Sequence, residues 1–240
     1  MNEKDYLKQL DGTTHVTTKP YILKCEEHTE NYTTDVFGKE IIVFPGVMSP
    51  EYDWAGLYMI DYMPQDFTGQ DVLEVGPGTG LVSVFAGLRG ARSITAIDIN
   101  PQAIENTLAN FEKFDVKNSS AFISDVFKEV SERKFDTIIF NLPYHDGEPQ
   151  SDLEKGVIDQ DYKAMKDFFK DAKKFISKDG TLYIGFSQSG NVPLFLETVA
   201  ENGFEITDMQ EKNKYDGMPR FADGEDFHYN CQVYTLKEKL

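Results

Sequence analysis

Asp71-Val72-Leu73-Glu74-Val75-Gly76-Pro77-Gly78-Thr79-Gly80 is the stretch from which the fold of this chain is read. Its first half is apolar enough for a buried strand, and its second half is a glycine-rich turn. Leu81, Val84, Phe85 and Leu88 then recur at i, i+3, i+4 and i+7, the spacing of one helix face. Strand, glycine turn and helix in that order open a parallel α/β unit. Glycines at the turn permit a sharp bend and let the backbone approach a ligand.

The same alternation continues toward the carboxyl end. Ile94 to Ile99 reads as a second strand, and Pro101 opens a helix in the favoured first-turn position, with Ile104, Leu108 and Phe111 inward. Ala121-Phe122-Ile123 is a third strand that ends at Asp125, and Phe135 to Phe140 is a fourth that leads into Asn141. A helix is expected from about 160 to 176, with Tyr162, Met165, Phe169, Ala172 and Ile176 inward. Thr181 to Phe186 is a fifth strand and Val192 to Ala200 a further helix. Phe204 to Lys212 and Tyr229 to Leu236 are two final strands joined by a loop over 213–228, without a crossover helix, so they must pair antiparallel. The expected fold is α/β, a doubly wound sheet with an antiparallel last strand.

Toward the amino end, Tyr21 to Cys25 and Ile41 to Phe44 read as two short strands, with a turn signal at Phe37-Gly38 before the second. They are expected to form a small hairpin. Glu51 to Met63 reads as a helix ending before Pro64. The division expected is a hairpin-and-helix extension over 1–64 and a catalytic domain over 65–240.

Composition narrows the function classes. Hydrophobic content of 40% and aromatic content of 13% support a packed core. No apolar run reaches the roughly 18 residues of a membrane span, and the polar start Met1 to Asp5 has no signal-peptide core, so a cytoplasmic location is expected. Cys25 and Cys231 are expected as reduced thiols, and the four scattered histidines lack metal spacing, so no metal is expected. A net charge of −17, from 41 acidic and 24 basic residues, speaks against broad binding to nucleic-acid phosphates.

The candidate ligand site lies at the carboxyl ends of the strands, where open α/β sheets bind ligands. Gly76, Gly78 and Gly80 have the spacing G-x-G-x-G, whereas the dinucleotide fingerprint wants its third glycine at position 81, which is Leu81. An NAD-dependent oxidoreductase is therefore disfavoured. Glu74 precedes the loop and is suited to a cationic amino-acid portion. Asp98, with Ile99 beside it, is placed to accept two ribose hydroxyls. Asp125 offers an acceptor to an adenine amino group, and Val126 a backbone N–H.

Leu73 to Gly80, Ala96-Ile97-Asp98-Ile99-Asn100-Pro101 and Ser124-Asp125-Val126-Phe127 together resemble the class I S-adenosylmethionine-dependent methyltransferases. The resemblance covers about residues 71–236 and implies a seven-stranded Rossmann-like sheet with S-adenosylmethionine as cofactor. Asn141-Leu142-Pro143-Tyr144 then resembles the N/D-P-P-Y motif of the members that methylate planar nitrogens, with Leu142 in place of the first proline. By that resemblance the Asn141 side chain and the Leu142 carbonyl accept hydrogen bonds from the target N–H groups, Pro143 shapes the loop and Tyr144 stacks on the flat group. Pro20 to Leu23, Phe37-Gly38, Val43 and Pro45 to Pro50 are similar to the hairpin-and-proline segment of HemK-like glutamine methyltransferases. Fewer residues precede the hairpin than the helical substrate-binding domain of bacterial members occupies, which leaves the substrate open.

The expected activity is N-methylation of a planar amide or amino nitrogen, of a protein glutamine or a small metabolite. A nucleic-acid adenine methyltransferase is the alternative by motif, and a non-catalytic cofactor-binding or regulatory subunit the alternative of another class. The acidic segment 146–161 reads first as a solvated loop and second as a lid that disfavours phosphate-rich substrates. The loop 213–228 is a second candidate to touch the acceptor. His145 is expected to be exposed, and Trp54 and Tyr58 are expected to pack in the core or cover the methionine end of the cofactor.

Overall fold

The computed structural model describes residues 19–212 and 231–239. Seven strands form one sheet in the order β5-β4-β3-β6-β7-β9-β8. They are β3 (Asp71–Val75), β4 (Ser93–Asp98), β5 (Ser119–Ile123), β6 (Phe135–Asn141), β7 (Ile176–Ser187), β8 (Phe204–Lys212) and β9 (Cys231–Glu238). All neighbours pair in parallel except β9, which runs antiparallel to both β7 and β8. The chain steps outward from β3 to β4 and β5, then returns to place β6 on the other side of β3. That reversal makes a topological switch point, and it opens a crevice at the carboxyl ends of β3 and β6. Val75 pairs with Phe140, so Gly76 and Asn141 leave the sheet side by side.

Helices cover both faces. Helices α2 (Ala55–Tyr62), α3 (Leu81–Leu88) and α4 (Pro101–Lys113) bury Tyr58, Met59, Val84 and Phe111 on one side. Helices α5 (Lys163–Phe175) and α6 (Val192–Glu201) bury Met165, Phe168, Phe169, Ala172, Phe195 and Val199 on the other. Asn100 caps α4 by accepting the Gln102 N–H at 2.9 Å. The fifth helix begins at Lys163 rather than at 160 because Asp161 and Tyr162 take left-handed backbone, with φ of 55° and 54°. The Asp159 carboxylate caps its first turn, accepting the N–H groups of Ala164 (2.9 Å) and Met165 (3.1 Å). The fifth sheet strand is longer than the expected 181–186, running from Ile176 to Ser187.

The amino-terminal hairpin is present, but its first strand is β1 (Tyr32–Val36), paired antiparallel with β2 (Lys39–Val43) across the expected Phe37-Gly38 turn. Tyr21 to Cys25, expected as a strand, lies instead in helix α1 (Lys19–Glu26). Tyr21, Ile22 and Cys25 are the buried positions there, a helical spacing, and Ile22 and Cys25 pack against Leu153, Val157 and Ile158. The expected helix over 51–63 is shorter at its start, because the Asp53 carboxylate accepts the Ala55 N–H and sets the first turn at Ala55.

The hairpin is fastened to α4 by two buried asparagines. Asn110 accepts the Ile42 N–H and donates to the carbonyls of Ile42 and Thr79, all within 2.9 Å. Asn106 accepts the Phe44 N–H and donates to the Ile42 carbonyl, both at 2.8 Å. Among the described residues no helix is long and apolar enough to cross a membrane.

Candidate active site

A cavity of about 380 Å³ occupies the switch-point crevice, a size typical of small-molecule and cofactor sites. Glu74, Gly76, Gly78, Asp98, Ile99, Asp125, Val126, Asn141 and Pro143 all line it. The other three residues singled out from the sequence stand behind its wall. Gly80 caps α3 in a left-handed conformation (φ 77°), and a Cβ there would lie 2.9 Å from Thr107 Cγ2. Leu142 and Tyr144 are buried in the core beneath the acceptor loop. The Tyr144 ring meets Phe186 and His145 edge-on, with centroids 6.1 and 5.4 Å away.

The glycine loop and the end of β4 are locked together. Asp98 accepts the Gly78 N–H at 3.3 Å through Oδ2 and the Asn100 N–H at 2.9 Å through Oδ1. Each carboxylate oxygen accepts more than one bond, so acceptor capacity is left over at the cavity wall. Burial outweighs these bonds and pushes the Asp98 pKa up to about 6. Glu74 is held by the backbone N–H and hydroxyl of Ser83, and burial raises it to about 7. Asp125 is paired with Lys128. Val126 takes a left-handed backbone (φ 52°) tied down by the Ser124 hydroxyl, which donates to its carbonyl at 2.6 Å.

At the acceptor end, Asn141 Oδ1 is buried without a hydrogen-bond partner among the described residues. A buried amide oxygen with no donor is costly unless a ligand supplies one. Asn141 faces Gly185 of β7 in register, and the Leu142 N–H donates to the Gly185 carbonyl at 3.1 Å. The absence of a side chain at Gly185 is what leaves room for the Asn141 amide.

Several lining residues were not singled out by the sequence. Gly46 to Pro50 and Asp53 contribute one wall, and Asn100 donates to the Gly46 carbonyl at 3.0 Å. No local pattern marked Asp53; its place follows from how α2 lies on the sheet. The acidic segment after Tyr144 is a solvated loop only in part: Asp146, Glu148, Asp152 and Asp161 are exposed, but its other face is packed. Leu153, Val157, Ile158, Asp159 and Tyr162 are buried, and 152–160 forms part of the cavity wall. His145, expected to be exposed, is fully buried. That segment folds back over it: the His145 N–H donates to the Val157 carbonyl, and the Asp159 N–H to the His145 carbonyl. Tyr58 is fully buried core, and neither it nor Trp54 lines the cavity. Cys25 and Cys231 are free thiols, both buried. The 213–228 loop, expected as a second candidate to touch the acceptor, lies outside the described residues.

These residues fit S-adenosylmethionine. A buried acidic group flanks the glycine loop, a second carboxylate stands at the end of the next strand, and the cavity continues to an unsatisfied acceptor on the adjoining strand. Glu74 would hold the methionine end, Asp98 the ribose, and Ile99, Asp125 and Val126 the base.

Comparison with known proteins agrees. The methyltransferase small domain model matches residues 39–216. A Methanocaldococcus jannaschii protein, provisionally named a protein N5-glutamine methyltransferase, is 40% identical over 113 residues, 47% of this chain and 54% of that protein. The ribosomal RNA small subunit methyltransferase C of Mannheimia succiniciproducens is 32% identical over 165 residues, 66% of this chain and 45% of that one. The chain thus spans about half the length of the curated relatives it matches. Trm5 of M. jannaschii, solved in complex with adenosine, shares the fold with a TM-score of 0.60 at 16% identity, covering 89% of this chain and 57% of that one. The resemblance to class I S-adenosylmethionine-dependent methyltransferases and the α/β fold with its antiparallel strand are both borne out. With a switch-point cavity ringed by Glu74, Asp98 and Asn141, and a family match over most of its length, this chain belongs to the methyltransferase small domain family.

Proposed function

We propose that the chain is an S-adenosylmethionine-dependent N-methyltransferase acting on a planar amide or amino nitrogen, carried by a protein side chain such as glutamine or by a small metabolite. The observation behind this reading is the buried, unpartnered Oδ1 of Asn141, one strand from the glycine loop. When bound, the cofactor supplies an electrophilic methyl group on a sulfonium sulfur.

The protein's part is orientation and charge. Asn141 Oδ1 accepts one N–H of the target, and by the family resemblance the Leu142 carbonyl accepts another. Two acceptors fix the plane of the nitrogen and increase its electron density as positive charge develops on it. Pro143 holds the loop backbone in a narrow φ range. The segment that buries His145 narrows the cavity and limits water around the reacting nitrogen. Tyr144 buttresses the loop from beneath.

A second reading, methylation of an RNA base, draws on the rRNA methyltransferase relative. The cavity wall opposes it. Asp53, Asp152 and Asp159 line it, while its two lysines are already engaged, Lys155 with Asp152 and Lys163 with Asp167. Phosphates would meet carboxylates rather than free cations.

Incubation with methyl-labelled S-adenosylmethionine against separated protein, metabolite and nucleic-acid fractions tests the proposal. Label is expected in the protein or metabolite fraction. Label confined to nucleic acid would overturn it, and no label despite intact cofactor binding would favour the non-catalytic subunit.

A further inference from the structure

The mechanism above gives no role to helix α1 or to the exposed stretch 149–156. That stretch supplies Pro149, Asp152, Leu153, Lys155 and Gly156 to the cavity wall. Yet every hydrogen bond it makes among the described residues ends within 148–158, on the same segment. Beyond it the chain is fastened. Val157 and Asp159 pair with His145, and the Asp161 N–H donates to Asp146 Oδ1 at 2.8 Å. Glycines stand at both ends of the unfastened stretch. Gly147 has φ 151°, a conformation open to glycine, and Gly156 has open space where a Cβ would be. Small residues at such places absorb hinge rotations.

Leu153 is the one buried residue of 149–156. It packs in a small cluster with Val157, Ile158 and the α1 residues Ile22 and Cys25, apart from the two large clusters that flank the sheet. Helix α1 is in turn fixed to the other wall of the cavity. Cys25 Sγ accepts the Ser49 N–H at 3.4 Å, and its thiol donates to Met48 Sδ at 3.7 Å. Met48 and Ser49 both line the cavity, and Asn100 holds this wall through the Gly46 carbonyl. A catch on one wall thus receives a side chain from a hinged segment on the other. Local opening costs only the contacts it breaks. Here those are the contacts of Leu153 with its small cluster, and no hydrogen bond outside 148–158.

We propose that 149–156 is a flap over the cofactor cavity, latched by Leu153 on α1, and that its opening sets how fast S-adenosylmethionine and S-adenosylhomocysteine enter and leave. A gate of this kind changes both rates by the same factor and leaves affinity nearly untouched while the closed state dominates. A wall that only touches the ligand would change affinity instead. The proposal rests on the cofactor placement and not on the identity of the methyl acceptor.

Stopped-flow binding of S-adenosylhomocysteine to the whole chain and to Ile22→Ala tests it. Ile22 does not line the cavity, so its loss reaches the ligand only through the latch. Association and dissociation rates are both expected to rise roughly tenfold. The Kd from calorimetry should stay within about twofold. Trypsin cleavage after Lys155 should quicken in the same variant, and S-adenosylhomocysteine should slow it in the unaltered chain. Ile22→Val, a smaller deletion, repeats the measurement with a smaller rise should the first variant fold poorly. Unchanged rates in both variants, or a weaker Kd carried by dissociation alone, would overturn the latch. Failure of S-adenosylhomocysteine to bind the unaltered chain would overturn the cofactor placement and the flap with it.

Discussion

Asn141 and Gly185 stand opposite each other across the β6–β7 pairing, and a Cβ added to Gly185 would lie 2.3 Å from Asn141 Oδ1. The amide proposed as acceptor clamp thus occupies the space a side chain on the neighbouring strand would fill.

Gly185→Ala should push the Asn141 amide out of position. The expected result is a loss of turnover of roughly hundredfold, because small displacements at a reacting centre are expensive. Strain should lower stability by about 1–3 kcal/mol. S-adenosylhomocysteine affinity, measured by calorimetry, should change little. Unchanged turnover would show that the amide has other room.

Asp98→Ala and Asn141→Ala should separate binding from transfer. Loss of the Asp98 carboxylate would remove the proposed charge-assisted bonds to the ribose, each worth about 1.5–3 kcal/mol, so cofactor affinity should fall by roughly two orders of magnitude or more. Asn141→Ala should keep that affinity and lose methyl transfer. Titration calorimetry and label incorporation on the two variants check the pair.

Glu74 and Asp98, at about 7 and about 6, lie above ordinary carboxylates because both are buried. Between about pH 4 and pH 7 the native chain therefore holds protons that the unfolded chain has released. The contribution of these two groups to stability falls as pH rises through that window. Glu74→Gln should accordingly raise the melting temperature of the cofactor-free chain more at pH 8 than at pH 5. A cationic ammonium at Glu74 and hydroxyl donors at Asp98 favour the ionised forms, so cofactor binding should release protons near pH 6.5. Calorimetry in buffers of different ionisation enthalpy measures that release, and its absence would contradict the placement.

Asn110 is fully buried and bridges the hairpin to the glycine loop through Ile42 and Thr79. Asn110→Leu should leave the Ile42 N–H and the Thr79 carbonyl unpaired, at about 2–4 kcal/mol in total. Because Thr79 lies between Gly78 and Gly80, cofactor affinity should weaken as well. Urea unfolding and calorimetry on the same variant show whether the two losses travel together.

The strands from Asp71 to Asn141, the glycine loop and Asp98 were legible because parallel α/β units repeat a strong local pattern. Asn141 was legible because it follows a plain apolar strand. Tyr21 to Cys25 was misread because five residues do not separate a helical period from a strand. His145 was misread because its polar neighbours in sequence are not its neighbours in space: Val157 and Ile158 return to cover it. Asp53 and the 152–160 wall depend on packing between distant segments, which no local pattern carries.

The Ile42 carbonyl takes its two donors from side chains 64 and 68 residues further along the chain. During synthesis the hairpin leaves the ribosome well before α4 exists, and its side-chain partners Asn106 and Asn110 are both in place only once residue 110 has emerged. Pairing across such a separation is slow to form and late to be rewarded. Translation speed through residues 44–110 therefore sets how long the amino-terminal segment waits undocked, and a pause there would lengthen its exposure to proteases and chaperones.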